Sequence, residues 1–354
     1  MVTASFFFLL LSVFDWEEVQ AQPRITADSY ILMEAWTGQV LLAKDEKTLR
    51  QPASTTKVLT AIVAIELGEL DELVTVSKKA ARVGEASLHL RPDEVFTLGD
   101  LVKGALIKSG NDATVAIAEQ LAGDERLYLD LLNRKARLLG AWQTYFQNPH
   151  GLPHQDHLTT AYDLALLARY ALKNPIFASI VGTQEELISS LNTGRIIYLR
   201  NTNRLLWEGP HYLGVKTGTT VKAGKCLIGA ARMEGRTLIS VVLHSDDRFG
   251  DTKKLMDYGM TDFQLRKIVD SSQHLTVRLA DGKFFLTLAP EEDFFYSVRK
   301  GQQLSRRYIL PGKIQASIRA GEPVGSLDLF LDGKKIKKVR LIALEDIRII
   351  PWTR

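Results

Sequence analysis

Three runs, Tyr212-Leu213-Gly214-Val215, Leu227-Ile228-Gly229-Ala230-Ala231 and Leu238-Ile239-Ser240-Val241-Val242-Leu243, follow one another closely, separated by glycine-containing turns. Short apolar and β-branched runs punctuated in this way predict consecutive strands. Far upstream, Tyr30-Ile31-Leu32-Met33 and Gln39-Val40-Leu41-Leu42 flank Thr37-Gly38 and predict a hairpin. Between the two groups the period lengthens. A helical pattern follows Ser54, with Val58, Leu59, Ile62 and Ile65 along one face. Further helical patterns run through Leu98–Ile107, Ala113–Leu121, Leu127–Leu139 and Ala161–Leu172, and Thr252–Phe263 predicts a closing helix. Strands at both ends that enclose a helical middle are the pattern of an α+β domain with an antiparallel sheet.

After about residue 268 the pattern changes to short strands with Gly and Pro turns, as in Leu275–Leu279, Phe284–Leu288 and Ile314–Ile318. The expected organisation is therefore a leader over 1–21, a first domain over 22–267 and a small β-rich domain over 268–354. A length of 354 residues suits two domains. Composition is 45% apolar and 24% charged, which argues against a disordered or collagen-like chain. No run of 18 apolar residues occurs, which argues against a polytopic helical membrane protein. A single cysteine, Cys226, allows neither an intrachain disulfide nor a cysteine-based metal site, and in a strand pattern it reads as a small core residue. The net charge of +4 is too small to argue for a nucleic-acid partner. Charge is uneven, however. Residues 271–354 hold 15 Lys and Arg against 9 Asp and Glu. Such a tail is either a solvated basic face or a weak contact for an anionic membrane surface or wall polymer.

Ser5–Phe14 is nearly all apolar, and Val19-Gln20-Ala21 supplies small or β-branched residues where a signal peptidase would cut. The run is too short to span a bilayer and fits a signal-peptide core, so export to the cell envelope is expected, although no Lys or Arg precedes it. The alternative is a buried N-terminal helix. At the other end, residues 333–354 read as a strand and then Ile349-Ile350-Pro351-Trp352, not as a long amphipathic helix.

Three motifs carry chemistry. The first is Ser54-Thr55-Thr56-Lys57, preceded by Pro52-Ala53. Positions i and i+3 share a helix face, so Lys57 can reach the Ser54 hydroxyl. Serine attacks only when a base takes its proton, and a lysine is that base only when burial or a second cation lowers its pKa. Alone, the motif is also an ordinary helix start with Ser54 as N-cap. The second is Ser109-Gly110-Asn111, 55 residues on, at the junction of two predicted helices. A hydroxyl and an amide there can relay a proton and hold an amide. The third is Lys216-Thr217-Gly218-Thr219, 107 residues later, ending a predicted strand. It offers a cation, two hydroxyls and a glycine against which a substrate backbone can lie. A lysine near Lys57 would also lower the Lys57 pKa.

The order S-x-x-K, S-x-N, K-T-G resembles the motif set of penicillin-binding proteins and class A β-lactamases. The form Ser-Gly-Asn is similar to that of the serine D-alanyl-D-alanine carboxypeptidases, the low-molecular-mass penicillin-binding proteins. The likeness extends to Ile31–Val40, Phe146-Gln-Asn-Pro-His-Gly-Leu152, Lys253-Lys-Leu-Met-Asp-Tyr-Gly259 and, in the tail, Gly321-Glu-Pro-Val-Gly325. The resemblance implies a penicillin-binding/β-lactamase-like fold, an antiparallel sheet flanked by helices with a helical subdomain. It implies no metal and no cofactor, with peptidoglycan stem peptides as substrate and β-lactam antibiotics as covalent inhibitors. It implies Ser54 as nucleophile and Lys57 as general base, with Ser109 and Asn111 relaying protons and holding the substrate amide. Lys216, Thr217 and Thr219 would bind the terminal carboxylate, with Gly218 beside them. The N–H groups of Ser54 and Thr219 would form the oxyanion hole. Arg248 matches a family arginine near the carboxylate pocket, and Ser87 a loop beside the site.

Rival readings are weaker. His150, His154, Asp156 and His157 cluster, but Gly151 and Pro153 interrupt the segment, which disfavours a metal site. A class A β-lactamase needs a glutamate between the second and third motifs, and no E-x-x-x-N stands near 146–152. Endopeptidase activity could use the same residues. A non-catalytic wall-binding scaffold would be expected to have lost Ser54 or Lys57.

Overall fold

The computed structural model describes residues 21–278, 285–311 and 317–347. The expected leader, most of the expected strand Ile314–Ile318 and the Ile349–Trp352 run lie outside the described residues.

The chain divides into two compact units, one over Gln22–Thr261 and one beginning at Asp262. The division falls ahead of the 267/268 boundary expected from the sequence, because Phe263–Val269 is a strand that pairs with Phe294–Arg299. In the first unit the five predicted strand runs join in one antiparallel sheet. Its order is Val40–Lys44, Ser29–Glu34, Arg236–Ser245, Gly224–Met233, Tyr212–Thr220. The first hairpin thus docks on the last strand in sequence, Ile31 opposite Val241. The strand that carries the third motif is left at an edge.

Both faces of this sheet are covered. Ile31, Met33, Ile228, Ala230, Ile239 and Val241 face the helical core. Their neighbours in the alternation point the other way. There Gly229 lies under Thr252 and Met256, and Leu32 and Leu238 lie against Gly259, all three on the helix Arg248–Asp262. Burial on both faces is why the central strands read as nearly continuous apolar runs.

The helix Lys57–Leu67 is buried all round from Lys57 to Ala64, as befits the central helix of a bundle. It packs on Asn111–Ala122, Glu125–Leu138 and Ala161–Ala171. Glu125–Leu138 buries Tyr128, Leu132 and Ala136 at i, i+4 and i+8, with Asp124 as N-cap accepting the Arg126 N–H. The single helix expected over Leu98–Ile107 is two segments. An α-helix over Leu98–Lys103 runs into a π-helical turn, Gly104–Lys108. The closing helix starts at Arg248 rather than Thr252, because the Asp247 carboxylate caps it by accepting the Gly250 N–H. The sequence reading missed the helix Pro175–Gly182, although Asn174 and Pro175 form a cap-and-start signal. It also missed the ribbons Leu73–Thr75 with Val95–Thr97 and Glu185–Ser189 with Ile196–Arg200.

The second unit carries a five-stranded antiparallel sheet, in the order Leu275–Arg278, Phe285–Pro290, Lys334–Ala343, Pro323–Leu331, Leu304–Ile309. Its core gathers Ile268, Leu286, Leu288, Leu327, Leu329, Val339 and Leu341.

Candidate active site

Ser54 does not cap a helix. It sits in a 3₁₀ turn, Ala53–Thr56, that leads into the central helix. The hydroxyls of its neighbours close this turn: Thr55 donates to the Pro52 carbonyl at 2.8 Å and Thr56 to the Ala53 carbonyl at 2.9 Å. Ala53 is held at φ +48, an uncommon conformation for a residue with a side chain. Two glycines grip the turn. A Cβ on Gly151 would lie 1.9 Å from the Ala53 oxygen, and one on Gly218 would lie 2.9 Å from the Pro52 oxygen and 3.0 Å from the Ser54 nitrogen. Gly218 is therefore needed for the approach of the third-motif strand to the serine's own backbone, a tighter constraint than the substrate contact expected from sequence.

Lys57 is fully buried one helical turn later. Its Nζ lies 2.9 Å from Ser54 Oγ, 2.7 Å from Asn111 Oδ1 and 2.7 Å from the His150 carbonyl. Two of these partners can only accept. The Asn111 amide is oriented by its Nδ2, which donates to the Gly84 carbonyl at 3.0 Å. A neutral amine has two N–H bonds and one lone pair. The two N–H bonds match the two acceptor-only oxygens, and the lone pair is left for the one partner that can donate, the Ser54 hydroxyl. Burial, and then the nearby Lys216 ammonium, hold the Lys57 pKa well below that of an ordinary lysine. An ammonium would make the same three contacts with Ser54 Oγ accepting, so the geometry admits both proton states, and it is the lowered pKa that favours the neutral amine.

The second motif follows the π turn. Ser109 is buried and left-handed at φ +71, and Asn111 opens the next helix. That kink, absent from the helical reading, turns the Asn111 side chain to Lys57. Asp112 beside it was not singled out in the sequence. It is fully buried and accepts from the N–H groups of Leu88, Leu90 and Ala113 and from the Ser87 hydroxyl at 2.6 Å. Ser87 Oγ in turn accepts the His89 N–H at 2.8 Å. The Ser87 hydroxyl thus fastens its loop to the Asn111 helix.

In the third motif Lys216 is buried, and its ammonium donates to the Thr217 carbonyl at 3.2 Å. Burial, then Arg248, lower its pKa to about 7. The Thr217 hydroxyl meets that of Thr202 at 2.6 Å. Arg248 donates to the Gly218 carbonyl at 2.9 Å and the Thr219 hydroxyl at 2.6 Å, so it lies against the end of the motif strand.

The histidine segment works through its backbone. The His150 carbonyl receives Lys57, and the Pro149 carbonyl receives the Thr60 hydroxyl at 2.7 Å. His157 Nδ1 accepts the Gln147 N–H at 3.0 Å, which assigns the proton to Nε2, 2.9 Å from Thr56 Oγ1. Both rings are neutral, since burial pushes each pKa down to about 3. The spacing of these residues gave no sign of this role, because the groups that act are main-chain carbonyls. Cys226 is buried against the Ala223 carbonyl, and burial raises its thiol pKa to about 11.

Comparison with known proteins agrees with this geometry. Residues 17–247 match the family model of D-alanyl-D-alanine carboxypeptidases, peptidase family S11. Residues 263–348 match that of the penicillin-binding protein 5 C-terminal domain. The chain is 32% identical to the D-alanyl-D-alanine carboxypeptidase DacF of Bacillus subtilis, over 91% of this chain and 86% of that protein. It is 32% identical to DacC of Escherichia coli, over 97% and 90%. Among solved structures it is similar to the carboxypeptidase DacD from Francisella tularensis, with a TM-score of 0.82 at 25% identity, covering 95% and 97%. It is also similar to penicillin-binding protein 5 from Haemophilus influenzae, with a TM-score of 0.79 at 28% identity, covering 93% and 100%. With its three motifs in order and the first two joined through Lys57, the chain belongs to the serine-type D-alanyl-D-alanine carboxypeptidase family, the low-molecular-mass penicillin-binding proteins.

Proposed function

We propose that this enzyme removes the terminal D-alanine of peptidoglycan stem peptides through an acyl-enzyme on Ser54, which penicillins also form. The observation that carries the assignment is the Lys57 amine, buried between two acceptor-only oxygens and the Ser54 hydroxyl. Ser54 Oγ attacks the carbonyl of the penultimate D-alanine as its proton passes to Lys57. The N–H groups of Ser54 and Thr219 receive the oxyanion, at about 3–4 kcal/mol per donor in comparable sites. The amine leaves with a proton, and water releases the acyl group. Ser109 relays protons. Asn111, with one N–H of its amide on Gly84, keeps a second for the substrate amide. Lys216, Thr217, Thr219 and Arg248 receive the terminal carboxylate. Ser87 is a loop anchor in this scheme.

The finer placement is part of the same reading. Residues 1–21 act as an export signal, the catalytic domain works outside the cytoplasmic membrane, and the basic C-terminal domain makes weak contact with an anionic surface. Liposome co-sedimentation at low and high salt tests the last point. Absence of binding at low salt overturns it.

The decisive assay is D-alanine release from diacetyl-L-Lys-D-Ala-D-Ala by the wild type and by Ser54→Ala. Release and fluorescent-penicillin labelling are both expected to vanish in the variant. Labelling that survives Ser54→Ala would place the nucleophile elsewhere. A folded wild type that neither releases D-alanine nor labels would favour a scaffold.

A further inference from the structure

Arg248 is the first residue of its helix, in a loop whose preceding residues, Asp246 and Asp247, are exposed. A guanidinium on such a loop holds one place only if something fixes the loop. The fixing groups come from the other end of the sequence. The Thr26 hydroxyl oxygen accepts the N–H groups of Asp246 at 3.2 Å and of Asp247 at 3.3 Å, the two residues before Arg248. The same hydroxyl donates to Asp251 Oδ2 at 2.7 Å. Asp251 is fully buried one turn into the helix. Its two oxygens also take the Thr26 N–H at 3.0 Å, the Ala27 N–H at 3.0 Å and the Ser245 hydroxyl at 2.7 Å. Lys254, on the same helix, reaches the Arg24 carbonyl at 3.2 Å. One threonine hydroxyl thus bridges the loop before Arg248 to the helix after it. A buried carboxylate near a helix N-terminus that accepts four hydrogen bonds is a rigid anchor.

We propose that Thr26, seated on Asp251, is a positioning residue for Arg248. The segment Arg24–Ala27 then acts as a strap that holds the arginine at the subsite for the substrate's terminal carboxylate. The inference rests on the reading of Arg248 given under Proposed function. Without the Thr26 hydroxyl the Asp246 and Asp247 amides turn to water, which costs the exposed loop little stability. The guanidinium then samples positions away from the Gly218 carbonyl and Thr219 hydroxyl. The loss falls on ligands that carry a carboxylate, and on them alone.

The test compares acylation by benzylpenicillin with acylation by its methyl ester, in the full chain. The variants are Thr26→Val, Thr26→Ser, Asp251→Asn, Arg248→Ala and Thr26→Val with Arg248→Ala. Thr26→Val is expected to slow acylation by the acid about fivefold, within the range of coupling between neighbouring residues, and to leave the ester unchanged. Thr26→Ser restores the wild-type ratio, Asp251→Asn lowers it, and Thr26→Val adds nothing once Arg248 is alanine. A purely structural staple would slow both ligands equally and add to Arg248→Ala, and either result overturns the proposal. If Arg248→Ala itself leaves the acid-to-ester ratio unchanged, the carboxylate role of Arg248 fails and the proposal falls with it. If Arg248→Ala lowers the ratio but Thr26→Val and Asp251→Asn do not, only the positioning role fails.

Discussion

Gly151→Ala and Gly218→Ala press on the same turn from two sides, and the structure ranks them. At Gly151 the added Cβ would lie 1.9 Å from the Ala53 oxygen and 2.3 Å from its carbonyl carbon. Relieving that overlap to a tight contact of about 3.2 Å moves backbone by about 1.3 Å, since no flexible side chain is there to yield. Gly151 also sits at φ +94, where a Cβ adds about 1–3 kcal/mol of strain. With overpacking of about 1–3 kcal/mol, the destabilisation is about 2–6 kcal/mol, against a total stability of about 5–15 kcal/mol for a domain. Displacing a nucleophile by about 1 Å costs on the order of 100-fold in rate. At Gly218 the nearest approaches are 2.9 Å to the Pro52 oxygen and 3.0 Å to the Ala53 Cβ and the Ser54 nitrogen, with no positive φ. A shift of a few tenths of an ångström suffices, so about tenfold in rate and ~1–2 kcal/mol are expected. The assay is the rate constant for acylation by a fluorescent penicillin, with urea unfolding and near-ultraviolet circular dichroism to establish that each variant is folded. A folded Gly151→Ala that acylates within about threefold of wild type would refute the wedge reasoning. So would a Gly218→Ala slower than Gly151→Ala.

Lys216→Ala removes the second cause of the low Lys57 pKa, so that pKa rises and the acidic limb of the acylation profile moves to higher pH; an unmoved limb sinks the part of the mechanism assigned to Lys216. His150 and His157 titrate near 6.5 when unfolded and near 3 when folded, so the unfolded chain binds more protons between those values. Stability is full above pH ~6.5 and falls as pH drops toward ~3, by at most about 5 kcal/mol per histidine. Urea midpoints taken across that window should decline less steeply in His157→Gln. Ser87→Ala loses one hydrogen bond to Asp112, worth about 1–2 kcal/mol, and should keep acylation within about tenfold of wild type. Asp112→Ala strands three buried backbone N–H groups and should destabilise by about 3 kcal/mol or more, read as the shift in urea midpoint.

Much of this protein is legible in its sequence because the informative signals are local. Period-2 and period-3.6 runs expose the sheet and the larger helices, since the central sheet strands and the central helix are buried on every side and leave little polar interruption. The i, i+3 spacing of Ser54 and Lys57 on one turn needs no tertiary knowledge. Spacing could not show what converges on Lys57 from elsewhere in the chain. The His150 carbonyl and the Gly84 carbonyl are main-chain atoms, and any residue type supplies them. Nor could it show the π turn, which aims Asn111 but leaves the apolar pattern of Leu98–Ile107 unbroken.

By itself, then, the sequence determined the strands of the main sheet and the larger helices, which follow from period, and it named the candidate reacting side chains through the resemblance its three motifs carry. Only the tertiary structure decided which groups surround Lys57, why Gly151 and Gly218 have no side chain, and that Thr26 stands beside the loop that carries Arg248. Each of those depends on distances between segments separated by tens to hundreds of residues, and chain folding, not spacing, sets such distances.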